Sequence, residues 1–302
     1  MSWPAYLAPH ETGELRVRIE TARALAAECR LCPRGCGARR LQGDVGVCGM
    51  AGDAVVSSHG AHFGEEAPLV GRGGSGTVFL AGCNVQCVFC QNFEISQRRE
   101  GQRTSPERLA RIMLDLQGMG CHNINLVTPT PQIFQILQAL PLAIEGGLRL
   151  PLVYNCGGYE SLDALRLLDG VVDLYLPDCK YADAAVARRY SGVDDYPAVA
   201  RAAIREMHRQ VGDLAVDERG VARRGLLVRH LVLPGGLAGT KEVVRFLAGI
   251  SPDTYLNIMD QYRPCYRAHE HPLLARRPTA GELARALGLA RAVGLWRLDG
   301  IC

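Results

Sequence analysis

What this chain lacks narrows its class. No run of apolar residues approaches the ~20 needed to cross a bilayer. The opening residues, Met1-Ser-Trp-Pro-Ala-Tyr6, carry neither a basic n-region nor an apolar h-region, so no secretory leader is expected. Charge of one sign is also missing. The net charge is +3, with both signs interspersed along the sequence, which argues against a nucleic-acid stripe or a polybasic membrane patch. There is no internal repeat and no low-complexity tract. The expectation is a cytoplasmic protein without nucleic-acid or membrane partners. Its 302 residues and 48% hydrophobic content allow one large domain with a small appendage.

Cysteine is what the chain has in excess. It carries 12, and without an export signal these are expected as reduced thiols in metal sites rather than as disulfides. Seven of them fall between positions 29 and 90. The densest group is Cys83-Asn-Val-Gln-Cys87-Val-Phe-Cys90, spaced C-x3-C-x2-C, directly after Gly76-Thr-Val-Phe-Leu-Ala-Gly82, which reads as a buried strand. Three thiolates on a tight loop suit three corners of a four-iron cubane, leaving the fourth iron open to a small molecule. A structural zinc site borrowing a fourth ligand is the alternative for this loop.

A second group precedes it. A helix is predicted over residues 14–28, with Leu15, Ile19, Ala22 and Leu25 as its apolar stripe. It leads to Cys29, Cys32, Cys36 and Cys48. This stretch is rich in glycine and arginine, has almost no apolar periodicity and cannot bury a core, so a metal is its expected staple. Four cysteines at this spacing fit either zinc or an auxiliary [4Fe–4S] cluster. Residues 59–76 read as a connecting loop whose His59 and His62 hydrogen-bond locally rather than bind metal.

From residue 77 onward short apolar runs alternate with helical segments, the pattern of successive β-α units on a parallel sheet. Strands are predicted near 77–82, 123–128, 152–155, 171–176, 226–232 and 254–258. Helices are predicted near 105–119, 131–145, 160–168, 182–190, 197–211, 240–249 and 279–291. Ser105 with Pro106 and Glu107 marks one helix start. The fold class is α/β: a partial (β/α)6 TIM-like barrel over residues 71–302, with a cysteine-rich metal-binding extension over residues 1–70. In such barrels chemistry sits at the C-terminal strand ends.

Those ends supply the remaining candidates. Thr128 and Thr130, in a Thr-Pro-Thr-Pro turn, offer hydroxyls or carbonyls to a cofactor. Asn155 can reach a ribose or carboxylate, and Gly157 and Gly158 permit close backbone approach; Cys156 between them stays open. Asp178 and Lys180 are costly to bury unless paired or used. Arg229, inside an apolar run, demands an anion: a cofactor carboxylate, or Glu160 or Asp178. His230 faces the other way by strand alternation and reads as packed against a helix. Asp260, Gln261, Tyr262 and Arg263 form a polar edge for substrate recognition. His269 and His271 read as a solvated loop, and Cys121, Cys179, Cys265 and Cys302 as small packing residues.

The triplet, its strand-then-loop setting and Phe89 before the last cysteine resemble the radical S-adenosylmethionine (radical SAM) superfamily. The likeness runs on through Gly64-Glu-Glu66, Leu176-Pro-Asp-Cys-Lys-Tyr181, Arg229-His-Leu-Val-Leu-Pro-Gly235 and Asn257-Ile-Met-Asp-Gln-Tyr-Arg-Pro264. Together these segments resemble uncharacterised radical SAM proteins similar to pyruvate formate-lyase activating enzyme. The resemblance implies that Cys83, Cys87 and Cys90 hold a [4Fe–4S] cluster and that S-adenosylmethionine chelates its open iron. It implies Thr128, Thr130, Asn155, Gly157, Gly158, Asp178 and Arg229 around that cofactor, and Asp178, Lys180, Arg229 and Asp260 near the reacting substrate. The expected partner is a one-electron donor such as flavodoxin or ferredoxin; for the substrate, a protein such as a glycyl-radical enzyme and a small molecule or peptide both stay open. Cys29, Cys32, Cys36 and Cys48 lie outside the minimal activating enzyme. The rival class is a non-catalytic iron–sulfur or zinc protein, a sensor or binding module.

Overall fold

The computed structural model describes residues 3–299. The strands in chain order are β1 (Ala54–His62), β2 (Ser75–Leu80), β3 (Gln102–Thr104), β4 (Ile124–Val127), β5 (Leu152–Cys156), β6 (Leu174–Pro177), β7 (Ala215–Val216), β8 (Ala222–Leu231), β9 (Tyr255–Met259) and β10 (Leu298–Asp299). The helices are α1 (Leu7–Glu11), α2 (Glu14–Ala27), α3 (Ala67–Val70), α4 (Phe93–Ser96), α5 (Pro106–Gly118), α6 (Ile133–Glu145), α7 (Leu162–Leu168), α8 (Ala184–Ser191), α9 (Tyr196–Val211), α10 (Thr240–Ala248) and α11 (Ala280–Ala292).

The sheet order is β10-β9-β8-β6-β5-β4-β2-β1-β3. The six expected strands are all present and run parallel from β2 to β9, an open row of β-α units rather than a closed barrel. Helices cover the row because central parallel strands are apolar on both sides; β5, for example, is buried throughout. Ser105 caps α5 as expected, its hydroxyl accepting from the Arg108 amide at 3.3 Å. In α2 the buried residues are Leu15, Ala22 and Ala26, with Ile19 and Leu25 only partly covered.

One expectation fails. Residues 59–62 are not loop: His59 and His62 lie in β1, which pairs antiparallel with β2 and carries the sheet one strand beyond the parallel row. Glycine and histidines at positions 59–62 gave no strand signal. Pairing with the edge of β2 supplied what local propensity did not. Neither histidine joins a metal-ligating group: among the described residues no three His, Cys, Asp or Glu side chains are drawn up around a single-ion position. No helix is long and apolar enough to cross a membrane.

The strand ends are tied to the segment before β2 by one buried amide. Gln132, just ahead of α6 and fully buried, accepts from the Val55 amide at 2.8 Å and donates to the Ala81 carbonyl at 2.7 Å. Gln132→Leu leaves both backbone groups unpaired in the interior. It is expected to destabilise the protein by roughly 2–4 kcal/mol, measured as the free energy of urea unfolding. An unchanged midpoint would show that Gln132 is replaceable.

Candidate active site

Two adjoining cavities open at the C-terminal ends of the parallel strands. The first, about 210 Å3, is lined by the thiol-bearing side chains Cys83, Cys87 and Cys90 together with Asp178 and Lys180. The second, about 410 Å3, is walled by Glu65, Glu66 and Asn257. Gln91, Asn92, Val127, Asn155, Arg229 and Gln261 line both.

The cysteine loop has no regular structure, and its neighbours shape it. Gly82 enters it at a φ of +79°, where a side chain would meet the Cys48 carbonyl at 2.8 Å. Asn84, buried, donates to the Tyr159 carbonyl at 2.6 Å. The Gln86 and Val88 amides donate to the carbonyls of Ser191 and Tyr190 at the end of α8. Phe89 is buried edge-on against Tyr181 and Tyr262. The thiols receive polar contacts: Ser191 Oγ donates to Cys87 Sγ at 3.0 Å, and Cys90 Sγ lies 3.1 Å from Ser96 Oγ. The Lys180 ammonium stands in the field of Cys87 and Cys83. Burial alone would lower its pKa, but the paired Asp178 and the nearby Cys87 hold it well above the ordinary lysine range. Three free thiols facing one cavity, with hydrogen-bond donors and a cation beside them, fit a [4Fe–4S] cluster, whose ligands must be thiolates.

The predicted residues divide. Thr128, at a φ of +59°, Asn155, Gly157, Asp178, Lys180 and Arg229 line the thiol cavity. Thr130 does not: it is buried and donates to Glu160 Oε1 at 2.8 Å. Gly158 does not either. Its close approach is to protein backbone, since a Cβ there would lie 2.1 Å from the Asp178 carbonyl. Asp260 is exposed and lines neither cavity, while Asn257, Met259 and Gln261 of the same edge do. Tyr262 is buried, its hydroxyl donating to the Leu274 carbonyl at 2.7 Å. Arg263 is exposed. Residues 255–259 alternate about the sheet, and the chain turns away after Gln261, so a run of polar letters did not mean a run of lining side chains.

Arg229 has an anion, but from an unexpected source. It pairs with Glu65 and Glu66, from the segment after β1, rather than with Glu160 or Asp178. Glu66 Oε1 accepts from Arg229 Nε at 2.6 Å and from Asn257 Nδ2 at 2.7 Å; its Oε2 accepts from Arg229 Nη2 at 2.7 Å. Burial alone would raise the Glu66 carboxyl, but the Arg229 guanidinium outweighs it and holds the group below its usual range. The pairing spans 163 positions, and only the acidic doublet in Gly64-Glu-Glu66 hinted at it. His230 behaves as expected: its Nδ1 donates to the Cys179 carbonyl at 2.7 Å and its Nε2 accepts from Thr240 of α10 at 2.9 Å. Burial lowers its pKa, which keeps the ring neutral.

The second cysteine group lies against the first. Cys29, Cys32, Cys36 and Cys48 come close enough to influence one another electrostatically, although no three of them surround a single-ion position as the side chains stand. Cys48 and Met50 pack with Ala81, and Arg34 Nε donates to the Asn84 carbonyl at 2.9 Å. Arg40 in this block is only 1% exposed. Its guanidinium donates to the Ala51 carbonyl and reaches within 4.0 Å of Cys29 Sγ; among the described residues no carboxylate pairs with it. Of the other cysteines, Cys121 and Cys179 pack in the core, Cys156 lines the thiol cavity, Cys265 is half-buried, and Cys302 lies outside the described residues. His269 is exposed and His271 packs edge-on against Tyr190.

Behind the thiol cavity Glu160 is buried, accepting from Thr130 and from the Tyr154 hydroxyl at 2.9 Å. Burial, only partly offset by these bonds, pushes its pKa up to about 7. The folded protein then holds a proton that the unfolded chain releases above about pH 4.5. Stability is therefore lost as pH rises from there to about 7. Glu160→Gln is expected to flatten that decline by on the order of 2–3 kcal/mol in urea unfolding across the window. Parallel pH profiles for the two proteins would show that Glu160 does not titrate there. Asp173, raised to about 6 by burial, is present in both and cancels.

The family model described as the radical SAM superfamily matches residues 77–216. An uncharacterized protein of Methanocaldococcus jannaschii is 32% identical over 291 residues, covering 93% of this chain and 79% of the relative. A radical SAM methyltransferase from Sphaerobacter thermophilus aligns structurally with a TM-score of 0.49 at 16% identity, over 72% of this chain and 64% of that one. The chain thus spans less than two thirds of that methyltransferase's length. With the cysteine loop and the strand-end cavities, the family model and the Methanocaldococcus jannaschii relative show that the chain belongs to the radical SAM superfamily, whose chemistry is the reductive cleavage of S-adenosylmethionine at a [4Fe–4S] cluster.

Proposed function

We propose that this protein is a hydrogen-abstracting radical SAM enzyme of the activating-enzyme type, with Cys83, Cys87 and Cys90 as the cluster ligands. The observation that carries the reading is the convergence of these three thiols on a cavity built from the C-terminal ends of five parallel strands. When bound, the cluster and S-adenosylmethionine supply a 5′-deoxyadenosyl radical, given one electron from a donor such as flavodoxin or ferredoxin. The chain's own work is orientation and exclusion of water. Asn155, Gly157, Thr128 and Asp178 stand where a nucleoside and an amino acid moiety would be held. Lys180, paired with Asp178, places its ammonium in the field of Cys83 and Cys87. The core aromatic residues Phe89, Tyr181 and Tyr262 close the far side of the loop against solvent. The substrate, a glycyl-radical partner or in its place a small molecule or peptide, would enter through the same mouth.

Cys29, Cys32, Cys36 and Cys48 form, on this reading, a second metal centre of four thiolates. The support is Arg40. A fully buried guanidinium without a carboxylate requires a counter-charge, and thiolates on a metal supply it.

Anaerobic reconstitution with iron and sulfide is expected to give a brown protein whose absorption changes on adding S-adenosylmethionine. With dithionite it should release 5′-deoxyadenosine, and Cys83→Ala should abolish that product while leaving the circular dichroism intact. Undiminished turnover in that variant would count decisively against the assignment. For the second centre, Arg40→Met in a Cys83/Cys87/Cys90→Ala background is expected to lower metal affinity about 10–100-fold, read by chelator competition, with iron and zinc analysis identifying the metal. Affinity equal to that of the Arg40 parent would leave the guanidinium without this role.

A further inference from the structure

We propose that the cavity walled by Glu65 and Glu66 is the substrate site and that it takes an organic cation, a primary ammonium or guanidinium. The inference rests on the radical SAM reading for the adjoining cavity.

The argument begins with charge. Glu66 is fully engaged, both oxygens on Arg229 and one also on Asn257. One carboxylate and one guanidinium close that account. Glu65 is left over: its Oε2 shares Arg229 Nη2 with Glu66, and its Oε1 lies 3.3 Å from His62 Nδ1, which makes no hydrogen bond. The Glu65 side chain is 7% exposed. A nearly dry second carboxylate on an arginine already in use leaves negative charge in excess, and buried charge demands a partner. His62, 44% exposed, supplies one only when protonated.

The cavity is where that partner would come from. At about 410 Å3 it has the size of a small-molecule site. Asp299 adds a third carboxylate to its lining, and the amides of Asn155, Asn257, Gln91 and Gln261 surround it. Phe79 offers an apolar wall for a carbon chain. Because the shared wall borders the thiol cavity, a molecule whose cation is fixed at Glu65 presents its carbon skeleton toward the reacting centre. An anionic substrate would meet Glu65 and Glu66 against one arginine and is disfavoured.

The test uses the apoprotein with n-butylammonium, n-butylguanidinium, butyrate and butanol as probes. The two cations are expected to raise Tm by about 2 °C at tenfold excess over Kd, and butyrate and butanol not to. Glu65→Gln should weaken cation binding at least about tenfold and itself raise the Tm of the free protein, because it removes surplus buried charge. Glu65→Asp should keep the preference for cations. Equal responses to butylammonium and butyrate in the wild type would overturn the proposal. So would a Glu65→Gln protein that is less stable yet binds the cation unchanged, since Glu65 would then be only a counter-ion for Arg229. S-adenosylmethionine is itself an ammonium and a sulfonium, so the reconstituted protein is titrated with both. Additive stabilisation supports a separate site, and competition overturns it. Failure to form 5′-deoxyadenosine in the wild type would sink the enzyme reading instead, while the apoprotein titration still decides the cation site.

Discussion

Everything in this molecule depends on holding three thiols around one cavity without a scaffold of their own. The Cys83–Cys90 segment makes no helix or strand. Its shape is borrowed from backbone groups that would otherwise be orphaned: Gln86 and Val88 donate to the carbonyls closing α8, and Asn84 donates to the turn after β5. A buried backbone polar group must find a partner. Each of these bonds therefore serves two elements, and the loop is fixed by the sheet and helices rather than by the metal alone.

The same economy governs charge. Lys180 with Asp178, and Arg229 with Glu65 and Glu66, bring ionised groups to the strand ends, where each desolvated ion must be matched. The matching is near complete on the thiol side and unequal on the Glu65 side. Glu160, near the first cavity, answers its burial differently, with a carboxyl pushed up to about 7. Sites that carry chemistry are often those where such balances are left open.

The N-terminal block is continuous with this centre. β1 adds to the sheet beside β2, Gly82 accommodates the Cys48 carbonyl, and Arg34 reaches the loop backbone. Two groups of cysteines separated in sequence thus share one boundary.

The sequence by itself determined the six parallel strands, the eight helices from α2 onward among those expected, the thiol triplet and the role of His230, because hydrophobic period, cap residues and ligand spacing are local signals. β1 was lost because its histidines and glycine carry no strand propensity and only the edge of β2 made it a strand. Thr130, Gly158 and Asp260 were named from their place at strand ends, but position along the chain does not fix where a side chain points once the backbone turns. The Glu65 and Glu66 pairing with Arg229 belongs to tertiary structure alone. It joins residues far apart in the chain, and only folding brings their charges within reach of one another.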